Sequence, residues 1–267
     1  MGLVVDLGLS GKACIVTGAT SGIGAAVTRM LLDEGARVLL VARNEDKLAA
    51  AAGAAADARA ATCAADVTDP ETAERIVAAC ESAFGRVDVL VNGAGTSSVV
   101  PLQELRDDDW QAQWELNVMA SQRLMRVAAP KMAERQWGRI VNVASSAGKR
   151  PSLRNAAYSV TKAAQLSLSR VFADEYAGKG VLVNAVAPGP TATELWTAES
   201  GLAVQAAGRR GTSPEDELAA EAAKVPMGRL AEPDEIAAVV VFLCSERASD
   251  VAGASWSVDG GTVRSFL

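Results

Sequence analysis

"TGATSGIG", residues 17–24, closes the apolar run "ACIVTG" (13–18) and opens a helix, and its glycines decide how the rest of the chain is read. Gly18 permits a tight turn, Gly22 lets backbone approach a ligand closely, and Gly24 permits close packing of helix on sheet. The helix that starts here offers unpaired N–H groups and a positive dipole end, which suit a pyrophosphate. No Gly-Lys-Ser/Thr follows, so a nucleoside-triphosphate loop is disfavoured. A glycine-rich turn alone is weak evidence. At the first strand–helix junction it points to a dinucleotide.

Outward from this turn, short apolar runs alternate with longer helical patterns. Strands are expected at 13–18, 37–42, 60–66, 87–92, 138–145, 181–188 and 254–260, and helices near 22–34, 44–53, 69–84, 109–136, 155–178 and 232–246. Several runs are continuously apolar, as in parallel strands covered on both faces. The pattern predicts a single α/β domain over 1–267, a Rossmann-type doubly wound parallel sheet of about seven strands flanked by helices. The Ala-rich stretch 49–65 reads as plain helix-compatible sequence. Segment 190–225 is too long for an ordinary connection and reads as a substrate lid.

Composition narrows the function. The chain has 267 residues, 49% of them hydrophobic, and a net charge of −6, which argues against a nucleic-acid partner. There is no histidine, and Cys14, Cys63, Cys80 and Cys244 form no CxxC pair, so no metal site is expected. Isolated thiols suit a reducing compartment. "MGLVVDLGLSGK" (1–12) has neither the basic start nor the long apolar run of a signal peptide, and no stretch has the length of a membrane span. The expectation is a soluble, cytoplasmic protein.

The end of the second strand bears on the cofactor. An acid there would bind a ribose 2′-hydroxyl, but Ala42 fills the place and Arg43 follows. A guanidinium can pair with a 2′-phosphate, which favours NADP(H) over NAD(H). The competing reading is a surface arginine partnered by Glu45 and Asp46.

"YSVTK" (158–162) then puts Tyr158 and Lys162 on one helix face, a spacing that chance also supplies. Together with "TGATSGIG", Asp66-Val67, "NGAG" (92–95), Asn117, Ser145, "PGPTAT" (188–193) and "VDGG" (258–261), it resembles the short-chain dehydrogenase/reductase family over nearly the whole chain. The ending "VPMGRLAEPDEIAAVVVFLCSERAS" (225–249) looks like the ketoacyl-carrier-protein reductase branch.

The resemblance implies a tetrad of Asn117, Ser145, Tyr158 and Lys162. It places a nicotinamide cofactor along Gly18, Thr20, Ser21, Gly22, Ile23 and Gly24, then Arg43, Asp66 and Val67. Asn92, Ala94 and Gly95 come next, with Tyr158, Lys162, Pro188, Gly189, Thr191 and Thr193 by the nicotinamide. Hydride transfer to a carbonyl puts negative charge on oxygen, which needs a proton donor and a hydrogen-bond partner. Tyr158 is the expected acid in reduction and base in oxidation, and Ser145 the expected holder of the substrate oxygen. The Lys162 ammonium and an oxidised nicotinamide should lower the phenol's pKa. By resemblance, Lys162 also holds the nicotinamide ribose and Asn117 positions a relay water. Ser146 competes with Ser145; Ser145 is favoured because it lies 13 positions before Tyr158 and three before Gly148. Gly93 stands where many relatives have asparagine.

The implied activity is NADP(H)-dependent interconversion of a carbonyl and a secondary alcohol, with a 3-oxoacyl-carrier substrate as one option. An NAD-dependent sugar or alcohol dehydrogenase and a non-catalytic NADP-binding sensor are the alternatives. Carrier docking would use Lys179 and a first position occupied by Gln136, beside Arg135. Lys149, Arg150, Arg154, Arg209 and Arg210 read either as an anion-binding group or as a solvated rim. Leu195, Trp196, Leu202 and Val204 would line an apolar pocket under the lid or bury the lid helix. Long helices at 109–136 and 155–178 imply, by resemblance, a homo-oligomer, commonly a tetramer.

Overall fold

Alternation of apolar runs and helical patterns becomes strands β1 (Ala13–Thr17), β2 (Arg37–Ala42), β3 (Ala60–Ala64), β4 (Val89–Asn92), β5 (Gly138–Val143), β6 (Val181–Pro188) and β7 (Ser255–Val258). The helices are α1 (Gly22–Asp33), α2 (Glu45–Ala55), α3 (Thr72–Phe84), α4 (Asp107–Trp114), α5 (Ala120–Glu134), α6 (Ala156–Tyr176), α7 (Glu194–Thr197), α8 (Leu202–Arg210), α9 (Pro214–Ala222) and α10 (Pro233–Cys244). This computed structural model describes residues 6–55 and 58–265, so the first five residues of the N-terminal stretch and two of the Ala-rich stretch lie outside it.

All seven strands are parallel in the order β3-β2-β1-β4-β5-β6-β7. The chain reverses its direction of winding between β1 and β4, and in such sheets a ligand crevice opens beyond the strand ends at that point. Register sets Thr17 of β1 opposite Asn92 of β4, and Asn92 opposite Asn142 of β5, at that edge.

Successive strand residues point to opposite faces, and both faces are covered. Val16 and Leu40 pack with Val27 and Leu31 of α1 and with Ile236 and Val240 of α10. Ile15, Leu39 and Leu90 pack on the other face with Ile76 of α3 and with Met125 and Met132 of α5. Each such side chain contributes about 1.5–3 kcal/mol of burial. This is why β1, β2 and β4 read as nearly continuous apolar runs.

The expected helix over 109–136 is interrupted. Between α4 and α5, Glu115–Met119 form a widened π-helical turn. Single-turn widenings of this kind accommodate an extra residue, often at functional sites. Segment 190–225 folds into α7, α8 and α9 rather than a loop. Gly211 (φ +70°) ends α8, and Ser213 caps α9, its Oγ accepting from the Asp216 amide at 3.1 Å with Pro214 in the first turn.

Candidate active site

The glycine turn is built from close backbone approaches. Gly18 and Gly22 have φ of +70° and +49°, and a Cβ on Gly18 would lie 3.0 Å from the Gly93 carbonyl oxygen. A Cβ on Gly24 would lie 2.1 Å from the Gly18 carbonyl oxygen, so Gly24 closes the turn on itself rather than only packing helix on sheet. Ser21 caps α1 without a side-chain bond, leaving first-turn amides open toward the cleft. Thr17, unremarked in the sequence, ties the crevice together: its Oγ1 accepts from the Gly93 and Ala94 amides at 3.1 and 3.2 Å. At Gly93 a Cβ would meet the Thr17 carbonyl oxygen at 2.8 Å.

From this turn a cleft of about 410 Å³ runs to the lid. Gly18, Ser21, Gly22, Ile23, Gly24, Ala94, Gly95, Ser145, Tyr158, Lys162, Pro188, Gly189, Thr191 and Thr193 all line it. Thr20, Arg43, Asp66, Val67, Asn92 and Asn117 do not. Arg43 and Asp66 follow the ends of β2 and β3, are exposed, and interact electrostatically. The Thr68 amide, then its hydroxyl, hold Asp66 below the ordinary carboxylate range, and Arg43 adds to this. Among the described residues Arg43 has no ion pair with Glu45 or Asp46. Val67 is half-buried against the α3 face of the core.

Ser145 sits at the end of β5, its Oγ accepting from the Ala147 amide at 3.1 Å, which leaves the O–H to donate elsewhere. A Cβ on Gly148 would lie 2.8 Å from the Lys162 backbone, so this glycine lets the serine turn press on α6. Ser146 also lines the cleft but is the more buried of the pair. Burial pushes the Tyr158 phenol up, opposed by a side-chain hydrogen bond with Ser145. The expected lowering counts on the charge of an oxidised nicotinamide as well as that of Lys162.

Lys162 is 2% exposed, and burial pushes it down to about 7. Its Nζ lies 5.6 Å from the Tyr158 ring centroid and donates to the Val143 carbonyl (2.8 Å) and Gln165 Oε1 (2.9 Å).

Asn117 lies on the widened turn, wholly buried. Its Nδ2 donates to Gln113 Oε1 (2.8 Å) and Thr161 Oγ1 (3.1 Å), while its Oδ1 has no partner. A Cβ on Gly95 would come within 3.5 Å of that oxygen and 3.6 Å of Lys162 Nζ, so Gly95 keeps the space between them open. Asn92 donates to Asn142 Oδ1 at 2.7 Å, behind the cleft. Open first-turn amides, glycines without room for a Cβ and an unpartnered buried oxygen together fit a bound dinucleotide.

At the lid, Leu195, Trp196 and Leu202 line the cleft and Val204 does not. The basic group also divides. Arg150 and Arg154 line the cleft, whereas Lys149 donates to the Ser255 carbonyl (2.7 Å) and Ser257 Oγ (2.9 Å). Arg209 pairs with Glu104 and Arg210 with Glu217. Arg154 reaches Glu217 at 3.8 Å and Glu221 at 3.7 Å, clasping α9 to the loop before α6. The wall is therefore mixed in charge rather than cationic. Asp259 makes a turn, accepting from the Gly261 and Val263 amides at 3.0 and 2.9 Å. Among the described residues no group of three potential ligands could hold a metal ion.

Residues 12–201 match the family described as short chain dehydrogenase. The structure superposes with a TM-score of 0.91 on L-sorbose reductase from Gluconobacter frateurii, solved with NADPH and L-sorbose; the chains are 38% identical, covering 98% of this one and 100% of the other. D-beta-hydroxybutyrate dehydrogenase of Cupriavidus necator is 35% identical over 96% of this chain and 99% of its own. The 3-oxoacyl-[acyl-carrier-protein] reductase of Vibrio cholerae is 34% identical over 96% and 98%. On these grounds the protein belongs to the short chain dehydrogenase/reductase family and is an oxidoreductase of CH–OH groups and the matching carbonyls.

Proposed function

We propose that the protein interconverts a small hydroxylated ketone and its secondary alcohol, with NADP(H) preferred to NAD(H). The observation that carries this reading is the meeting of Ser145, Tyr158 and Lys162 in one cleft with the glycine turn. The bound cofactor supplies or accepts the hydride. Tyr158 donates its proton to the substrate oxygen in reduction and takes it back in oxidation. Ser145, whose Oγ accepts from the Ala147 amide, has its O–H to donate to the same oxygen. Lys162 has a third N–H for the cofactor ribose, and Asn117 Oδ1 offers the acceptor for a relay water.

A polar wall of Ser97, Ser152, Asn155 and Arg154 suits a hydroxylated substrate, as does the resemblance to a reductase solved with L-sorbose. Carrier docking is less well supported, because Lys179 is paired with Glu175 and Arg135 donates to the Val87 carbonyl. Arg43, unpaired with its acidic neighbours, supports binding of the 2′-phosphate; Arg43→Ala should raise KM for NADPH by about 10- to 100-fold and leave KM for NADH unchanged. Absorbance at 340 nm across ketoses, simple ketones and 3-oxo thioesters tests the function. Fastest turnover is expected with ketoses and NADPH. A native NADH preference overturns the cofactor assignment, and an NADPH-binding protein that turns over no carbonyl would be a sensor.

We read the assembly as a homotetramer: Val160 and Val171 share an exposed face of α6, and Trp114 is exposed on α4. A cytoplasmic location is consistent with four free, buried cysteines, and no described helix is long and apolar enough to cross a membrane.

A further inference from the structure

Lys162 does not stand alone in its buried site. Gln165, three residues along α6 and fully buried, accepts from Lys162 Nζ through Oε1 at 2.9 Å and donates through Nε2 to Ser121 Oγ at 2.8 Å. Ser121, itself buried on α5, donates to the Asn117 carbonyl at 3.4 Å. Because Ser121 spends its proton on that carbonyl, it can only accept from Gln165, and the glutamine amide must present its oxygen to the lysine. An ammonium has three donors. Val143 and Gln165 take two of them, so the third is directed into the cleft that Lys162 lines.

We propose that Gln165 is a positioning residue that holds Lys162 as an ammonium and aims its free N–H into the cleft. This rests on the role proposed above for Lys162. The surroundings make Gln165 decisive, because no charge supports the lysine. Tyr158 faces it from the same helix, β5 presents only the Val143 carbonyl, the widened turn presents Asn117, and α5 presents Ser121. Among the described residues Tyr158 is the titratable group in this set, and burial alone holds Lys162 near 7. Burial disfavours its charge, and the hydrogen bond to Gln165 opposes that cost. In reduction the incoming nicotinamide is uncharged, so the protein alone must hold the charge.

The test uses the cofactor-free protein first. A lysine depressed on folding binds fewer protons folded than unfolded between the two pKa values, so stability rises with pH from about 7 toward 10.5. Urea midpoints measured from pH 5 to 10 should show that rise, and Lys162→Met should remove it. Gln165→Leu, which deletes the acceptor, should start the rise about one to two pH units lower. Gln165→Glu, which keeps the shape and adds a negative charge, should start it higher. The alkaline limb of reductive kcat should move in the same two directions. If the three curves differ only by a uniform offset, Gln165 merely packs and the proposal is overturned. Should the Leu variant fail to fold, Gln165→Glu decides alone, since an unmoved onset there overturns the proposal as well. Shifted curves in a protein that turns over no carbonyl would sustain the control of Lys162 and sink the reductase reading instead.

Discussion

Tyr158→Phe is expected to lower kcat by about 10²- to 10⁴-fold while leaving the dissociation constant for NADPH within about twofold of the native value. Phenylalanine keeps the ring and removes only the hydroxyl that meets Ser145. Single-turnover absorbance at 340 nm with isothermal titration of the cofactor separates the two effects. A Phe variant that retains native turnover would show that the proton comes from another group. The direction of the pH profile follows from the same site. Burial raises the Tyr158 phenol, so oxidation, which needs the phenolate, should climb as pH rises, and reduction should decline. A fall in oxidation with rising pH would contradict the assignment.

Gly24→Ala is the second large effect, and it acts on structure. Its Cβ would sit 2.1 Å from the Gly18 carbonyl oxygen, far inside any tolerable contact. Both atoms belong to the backbone turn, so no flexible side chain can yield. Overpacking of this kind costs about 1–3 kcal/mol, which for a protein of this size lowers Tm by roughly 2–4 °C per kcal/mol. Relief requires the turn to open, which moves the α1 amides away from the crevice. Cofactor affinity should therefore fall by about tenfold or more, corresponding to ~1.4 kcal/mol. Gly53→Ala is the control: a Cβ there meets nothing within 4 Å, and on α2 it should be neutral or slightly stabilising. Calorimetry and NADPH titration of the two variants check the contrast.

Much of this was legible in the residues because parallel strands buried on both faces announce themselves. "VLVN" and "RVLLVA" have no polar alternation, and each became a strand within a residue or two of its expected ends. The site was legible where chemistry needs a rare residue at a set spacing, as for Tyr158, Lys162 and Ser145. It was less so where a role depends on tertiary packing. Val204 lies on the lid helix but outside its buried face of Leu202, Ala203, Ala206 and Ala207, and it does not line the cleft. Lys149 follows the serine turn but is drawn to the β7 carbonyl of Ser255. Thr17 and Ser121 look like ordinary small polar residues until their partners from distant segments arrive. One signal was available for Gln165: a polar residue at i+3 from a buried lysine, on the same helical face.

The widened turn at Glu115–Met119 has a further consequence for how this chain tolerates change. One surplus residue in a helix turns everything beyond it by about 100° relative to an unbroken one. It works as a phase shifter between two stretches with different duties. Before it, Asp107–Trp114 has no fully buried residue; after it, Leu124, Met125 and Met132 are locked into the core. Deleting a residue within the turn would heal the helix but put the outer stretch and the inner one out of phase, carrying Asn117 off its inward bearing. The extra residue keeps their alignments separate, so Gln113 at the end of the outer stretch still meets Asn117 while the inner stretch stays in phase with the core.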